Sequence, residues 1–210
     1  MSLSAKDDLI ESGVPGSAEQ RVATRYTPLM RTAKITGVSG EFLCVVSDIS
    51  STGVSVRLFH PLPADTALKL EMPNGESIPI ETVWAKDARA GFRFAELVNL
   101  HRLLEGHGEW PKRPIRLNLD MPATLSSLTG RYDARIHNIS LQGAQIECGT
   151  RLALDQRLRL SNEVLPEIVA KVRWRNGKAY GLIFDDTFQF ADLARIAAFA
   201  QGLPLGNRPA

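Results

Sequence analysis

With 210 residues and 44% hydrophobic content, the chain can bury one large core or two small ones, and its composition excludes a disordered protein. No stretch approaches the roughly 18–20 uninterrupted apolar residues of a membrane span, and Met1–Gln20 lacks the basic start and apolar middle of a secretory signal, so the expected address is the cytoplasm. The net charge of +2 divides into −3 over residues 1–20 (one basic, four acidic), 0 over 21–110 and +5 over 111–210 (14 basic, nine acidic); an excess this small is that of an ordinary solvated surface and argues against a nucleic-acid partner.

In chain order, residues 1–20 mix Ser, Gly, Pro and acidic residues with no sustained period, which predicts a flexible lead-in that ends where Arg21 begins. Between Thr32 and Ser47 the apolar residues Ile35, Val38, Phe42, Leu43, Cys44, Val45 and Val46 break once at Gly37–Gly40, giving two strands and a turn. Val54-Ser55-Val56-Arg57-Leu58 alternates with period two, the mark of a half-buried strand. Leu68 to Met72 and Ile78 to Trp84 read as strands joined by a hairpin turn at Asn74-Gly75, and Gly91-Phe92-Arg93-Phe94 closes the sheet. Leu97, Leu100, Leu103 and Leu104 recur at helical spacing ahead of Gly106, a helix stop.

The second half repeats the first. Ile49, Ser50, Gly53, Trp84, Gly91 and Phe94 recur ninety positions later as Ile139, Ser140, Gly143, Trp174, Gly181 and Phe184. Asn176-Gly177 supplies a turn before Gly181, and Leu193, Ile196, Ala197 and Ala200 supply a closing helix. A period of ninety is too long for a solenoid unit and marks a tandem duplication of domains. The expected divisions are 1–20, 21–108 and 109–205, with the seam near Gly106–Pro111. About six short strands and one terminal helix per unit predict a mainly β chain of two small antiparallel barrels or strongly curled sheets.

Chemistry-bearing residues are few. Cys44 and Cys148 lie in apolar runs with no Cys or His at ligand spacing, so they read as buried reduced thiols, and no structural metal or cofactor is expected. His60, His101, His107 and His137 are scattered, and no nucleophile–base pair or paired-carboxylate motif points to an enzyme. Trp84 and Trp174 are expected in the core or at a barrel rim. Two polar signatures stand out. Arg21-Val22-Ala23-Thr24-Arg25 is R-x-x-x-R, and Asp48-Ile49-Ser50-Ser51-Thr52-Gly53 is D-x-S-x-x-G, separated by strand pattern and followed by a strand.

In that order and spacing the two signatures resemble those of PilZ domains, bacterial receptors for cyclic di-GMP. The resemblance covers nearly all the chain after Gln20 and implies two tandem six-stranded antiparallel PilZ-like barrels, each with a C-terminal helix. It further implies that Arg21, Arg25, Asp48, Ser50 and Gly53 bind the ligand. The residue types suit that task. A guanidinium meets the O6/N7 edge of guanine with two hydrogen bonds and offsets phosphate charge. A carboxylate accepts from the neighbouring guanine N1–H and N2–H, a serine hydroxyl donates or accepts beside it, and Gly53 is expected to give the turn its backbone freedom and to admit the ligand closely.

The second copy departs from this pattern. Lys112-Arg113-Pro114-Ile115-Arg116 is K-x-x-x-R, and the turn reads Asn138-Ile139-Ser140-Leu141-Gln142-Gly143. Arg-to-Lys is not conservative at a forked site, so the second domain is expected to serve packing or partner recognition. The expected function is a cytoplasmic cyclic di-GMP effector that changes the order of its N-terminal segment or the packing of its barrels, and so acts on a downstream protein in motility, pili or polysaccharide export. The alternative is a nucleotide-independent adaptor, or a nucleic-acid-binding barrel using the basic second half.

Overall fold

The computed structural model describes residues 31–105 and 114–204. The predicted lead-in over 1–20, the seam at Gly106–Pro111, and Arg21, Arg25, Lys112 and Arg113 lie outside the described residues.

The first unit contains β1 (Arg31–Gly37), β2 (Gly40–Ser50), β3 (Gly53–Leu58), β4 (Leu68–Glu71), β5 (Ser77–Lys86), β6 (Arg89–Phe94) and α1 (Leu100–Glu105). The second contains β7 (Leu117–Ser127), β8 (Gly130–Ser140), β9 (Gly143–Cys148), β10 (Arg157–Ser161), β11 (Ile168–Asn176), β12 (Ala179–Phe184) and α2 (Phe190–Ala200). Each set of six strands closes on itself, in the orders β1-β2-β3-β6-β5-β4 and β10-β11-β12-β9-β8-β7, and every pairing is antiparallel. Two six-stranded barrels, each followed by a helix, are the architecture the resemblance implied.

Side-chain alternation explains the closure. On β3, Val54, Val56 and Leu58 are buried while Ser55 and Arg57 face outward; on β7, Leu117, Leu119, Met121, Ala123 and Leu125 all turn inward. A strand with one apolar face gains only when that face is covered, and closing the sheet covers it without leaving an open edge. Cys44 and Cys148 are buried free thiols among these residues, and burial pushes the Cys44 thiol pKa up.

Two local expectations are corrected. Leu97 is not part of α1: it is 79% exposed, and the helix begins at Leu100 because the Asn99 side chain accepts from the Arg102 backbone N–H at 3.1 Å, an N-cap that helical spacing alone does not reveal. The β5–β6 turn was not anticipated. It is made by Asp87 and Ala88 in the left-handed region (φ 49° and 59°), where the second barrel uses Gly177 (φ 59°). The Asn74-Gly75 and Asn176-Gly177 turns fall where the sequence put them.

The barrels are joined along β2. Leu43 belongs to the first barrel's chain but sits in the second barrel's core cluster, and Phe59 meets Phe190 of α2 edge-on at 5.6 Å. Between these apolar contacts Glu41 collects polar ones. Its carboxylate accepts from Asn118 N (2.8 Å) and Asn118 Nδ2 (2.7 Å) and pairs with Lys34 Nζ at 3.0 Å. Its backbone N–H donates to Gln201 Oε1 (2.7 Å), and its carbonyl accepts from Gln201 Nε2 (2.8 Å). Lys34, only 7% exposed at its side chain, also reaches Glu71 at 3.4 Å and the carbonyl of Arg116 at 3.2 Å. Among the described residues no buried side-chain nitrogen or oxygen lacks a hydrogen-bond partner, and for Lys34 these contacts meet that demand.

Candidate ligand-binding site

The end of β2 is shaped by a bulge. Val46 pairs with Val56 and Asp48 with Ser55, which leaves Ser47 as an extra residue. The extra residue shifts the alternation by one. Val46 and Ile49 are both buried, three positions apart rather than two, and Asp48 is turned outward beside Ser55, whose hydroxyl donates to Asp48 Oδ2 at 3.1 Å. β8 repeats the device: Ile136 pairs with Ile146, Asn138 with Gln145, His137 is the extra residue, and Ile139 returns to the core. In the sequence the bulge is visible as a phase break in the apolar pattern, Val46 to Ile49 and Ile136 to Ile139.

The turn after the bulge is fixed from inside. Ser50, 7% exposed, donates its hydroxyl to the Gly53 carbonyl at 3.3 Å and accepts from the Thr52 backbone N–H at 3.3 Å. Ser140 does the same with Gly143 and Gln142. Ser50 therefore holds the turn in shape, its hydroxyl engaged with the backbone of the same turn. Gly53 is also explained differently from the expectation. Its φ is not positive; a Cβ there would stand 2.4 Å from the carbonyl oxygen of Phe92 on β6, and at Gly143 2.2 Å from that of Leu182. Both glycines exist because the next strand passes too close for a side chain, so turn freedom is not their reason.

The structure thus brings Asp48, Ser50 and Gly53 together at one bend and assigns them unequal parts: one outward carboxylate and two residues that shape its support. Sequence reasoning missed Ser55, which orients the carboxylate, although the period-two alternation of β3 already turned it outward. Trp84 and Trp174 are rim residues, 46% and 41% exposed, and each lies over a glycine, with the indole Nε1 2.1 Å and 1.9 Å from where a Cβ of Gly91 or Gly181 would be.

The second bend carries an amide in place of the carboxylate, and that amide is occupied at both ends. Arg116 Nη1 donates to Asn138 Oδ1 at 2.9 Å, and Asn138 Nδ2 donates to Gln145 Oε1 at 2.9 Å. The arginine of K-x-x-x-R thus binds the chain's own turn. The extra residue His137 is likewise engaged, 3.2 Å from Glu147.

Among the described residues no group of three His, Cys, Asp or Glu side chains is placed to hold a metal ion, and no helix is long and apolar enough to cross a membrane.

No curated protein matches the chain significantly. Among solved structures, the chain is similar to the PlzA protein of Borreliella burgdorferi in complex with c-di-GMP, at 12% identity over 83% of this chain and 88% of that one, with a TM-score of 0.33. It is also similar to the Bacillus subtilis inhibitor of motility MotI/DgrA (13%, 82% and 95%, 0.34) and to Escherichia coli YcgR in complex with c-di-GMP (9%, 76% and 76%, 0.28). Values this low carry no argument about the site. The family model for the PilZ domain matches residues 19–106 and again 112–202, one match for each barrel, and the chain belongs to the PilZ family.

Proposed function

We propose that the protein is a cyclic di-GMP receptor whose first domain, residues 21–108, binds the nucleotide, and that it acts as a cytoplasmic signalling effector rather than an enzyme. The observation that supports this best is the outward carboxylate of Asp48, held by Ser55 on a bulge that the fold builds in both barrels but arms with an acid in only one. An ionised carboxylate accepts two hydrogen bonds side by side and so suits the N1–H and N2–H pair of guanine. Arg21 and Arg25 supply the forked cations in this reading and close over the ligand from the N-terminal side. Ser50 and Gly53 contribute by holding the bend. The second domain, residues 109–205, packs against the first and presents a surface to a downstream protein in motility, pili or polysaccharide export.

Calorimetric titration of the full chain with cyclic di-GMP tests this reading, with cyclic di-AMP as the control. Binding of the guanine dinucleotide alone is expected. Arg21→Ala and Arg25→Ala should each weaken it by about 1–3 kcal/mol, the worth of a bidentate contact to guanine. No heat with cyclic di-GMP sinks the proposal, and affinity unchanged from the parent in both arginine variants moves the site elsewhere.

A further inference from the structure

The outer face of the first barrel carries a row of cations that its duplicate lacks. Strand register sets Arg57 on β3 opposite Arg89 on β6, and Arg89 opposite Lys86 on β5. Three like charges on adjacent strands oppose one another, an arrangement that destabilises a sheet. All three are exposed. Their compensation is slight: Arg57 lies 5.0 Å over the Phe59 ring, and the only carboxylate paired with any of them among the described residues is Asp87, 3.9 Å from Lys86 with both side chains more than 80% exposed. The fold does not require the row. Ninety positions on, Glu147, Ala179 and Asn176 occupy the same register on β9, β12 and β11.

The row's position identifies what it serves. Arg57 points to the same side of β3 as Ser55, two residues along, a step of about 7 Å. Arg89 stands two residues from Gly91, which lies opposite Ser55. The cations therefore run parallel to the Asp48–Ser55–Gly91 line, one repeat away on the same face.

We propose that Arg57, Arg89 and Lys86 form a cationic shelf for a phosphodiester of the cyclic dinucleotide whose guanine Asp48 receives. The inference rests on the function proposed above. A nucleotide carries its phosphate one sugar away from the hydrogen-bonding edge of its base, so base and charge fall on neighbouring lines of the sheet. Guanidinium groups take phosphate oxygens in pairs. A bound anion also relieves the mutual repulsion of the row, so the arrangement is stabilised by the ligand it awaits. Acid turn and cationic shelf are present together in the first barrel and absent together from the second.

The test is calorimetric titration of the full chain with cyclic di-GMP, comparing Arg57→Gln/Arg89→Gln and Lys86→Gln with Lys69→Gln, which removes one charge from β4 away from the site. The double variant should lose roughly 30-fold in affinity and Lys86→Gln roughly 5-fold, while Lys69→Gln stays within about twofold. Thermal unfolding of the double variant should occur at or above the parental temperature, because opposed like charges are gone. If the parent binds and the double variant binds as well, the shelf is wrong and the receptor reading stands. An equal loss in Lys69→Gln also overturns the shelf, since net charge alone would then explain the effect. No binding by the parent removes both. Should the double variant unfold, Arg57→Lys/Arg89→Lys decides: partial loss supports the shelf and unchanged affinity overturns it.

Discussion

The two barrels share a bulge, a serine-locked turn and a glycine under a passing strand, yet at the position the bulge presents to solvent one has Asp48 and the other Asn138. The carboxylate is oriented by Ser55, whereas the amide is bound by Arg116 on one end and Gln145 on the other. One duplicated scaffold therefore carries a carboxylate on one bend and, on the other, an amide engaged by Arg116 and Gln145 of its own barrel. Ser50 and Gly53 recur unchanged in both because they build the bend. The residue placed on the bend and its cross-strand neighbour, Asp48 with Ser55 against Asn138 with Gln145, distinguish them.

The comparison is broken most directly by exchanging what sits there. Asp48→Ala should reduce cyclic di-GMP affinity by roughly 100-fold or more, since it removes two charge-assisted hydrogen bonds and leaves guanine donors unsatisfied. Asn138→Ala should leave affinity within about twofold, read by the same titration. Equal losses would mean that both bends bind ligand and that the Arg116–Asn138 contact opens. Isolated fragments are poor tests, because separating the barrels strips Leu43 from the core cluster it joins.

The seam gives the next largest effect. Glu41→Ala removes the nearest carboxylate from buried Lys34, leaving it Glu71 at 3.4 Å and the Arg116 carbonyl at 3.2 Å, and breaks both Asn118 hydrogen bonds across the joint. Breaking such a pair should cost about 3 kcal/mol of unfolding free energy, measured by denaturant unfolding. Its repeat counterpart, Arg131, is exposed, and Arg131→Ala should change stability by less than about 0.5 kcal/mol. Comparable losses from the two would show that Glu41 is not a junction.

The smallest effect concerns His60, whose counterpart is Thr150. His60 is 4% exposed, its Nδ1 2.7 Å from the Pro61 carbonyl and its Nε2 3.2 Å from that of Leu43. Burial lowers its pKa below the ordinary 6.5, and the two carbonyls only partly oppose this. The unfolded chain thus takes up a proton at a pH where the folded chain does not. Stability from this group is complete above pH 6.5 and falls as pH drops from 6.5 through the lowered value. Unfolding at pH 7.5 and 5.5 should show a smaller acid loss in His60→Gln than in the parent. An identical loss in both would rule out His60 as the titrating group.

Much of this was legible in the sequence, and the reasons are particular. The ninety-residue repeat was readable because Trp84, Gly91 and Gly53 occupy places where geometry admits little else: an indole over a glycine, and a backbone oxygen 2.4 Å from a missing Cβ. The alternation of Val54, Val56 and Leu58 identified β3 for the same reason, since each inward position is buried. What could not be read depended on contacts distant in the chain. Nothing local distinguishes Leu43, which crosses into the other barrel's core, from Cys44, which stays in its own. The turn-holding bonds of Ser50 to Gly53 and Thr52 were not legible either, because the signature D-x-S-x-x-G gives residue types and not which backbone groups the hydroxyl meets. The offset of α1 from Leu97 turned on a single Asn99 cap.

The junction along β2 has a consequence for how many barrels such a chain can hold. Its two sides differ: Glu41 and Leu43 on the first barrel, Asn118, Gln201 and α2 on the second. A head-to-tail contact of this kind can be extended by further units whenever each unit carries both sides. The positions that would continue it on the second barrel are Arg131 and Asp133, both exposed and charged, in place of Glu41 and the buried Leu43. The second barrel therefore does not repeat on β8 the half of the joint that β2 supplies on the first, and the contact between the two barrels is one of unlike faces.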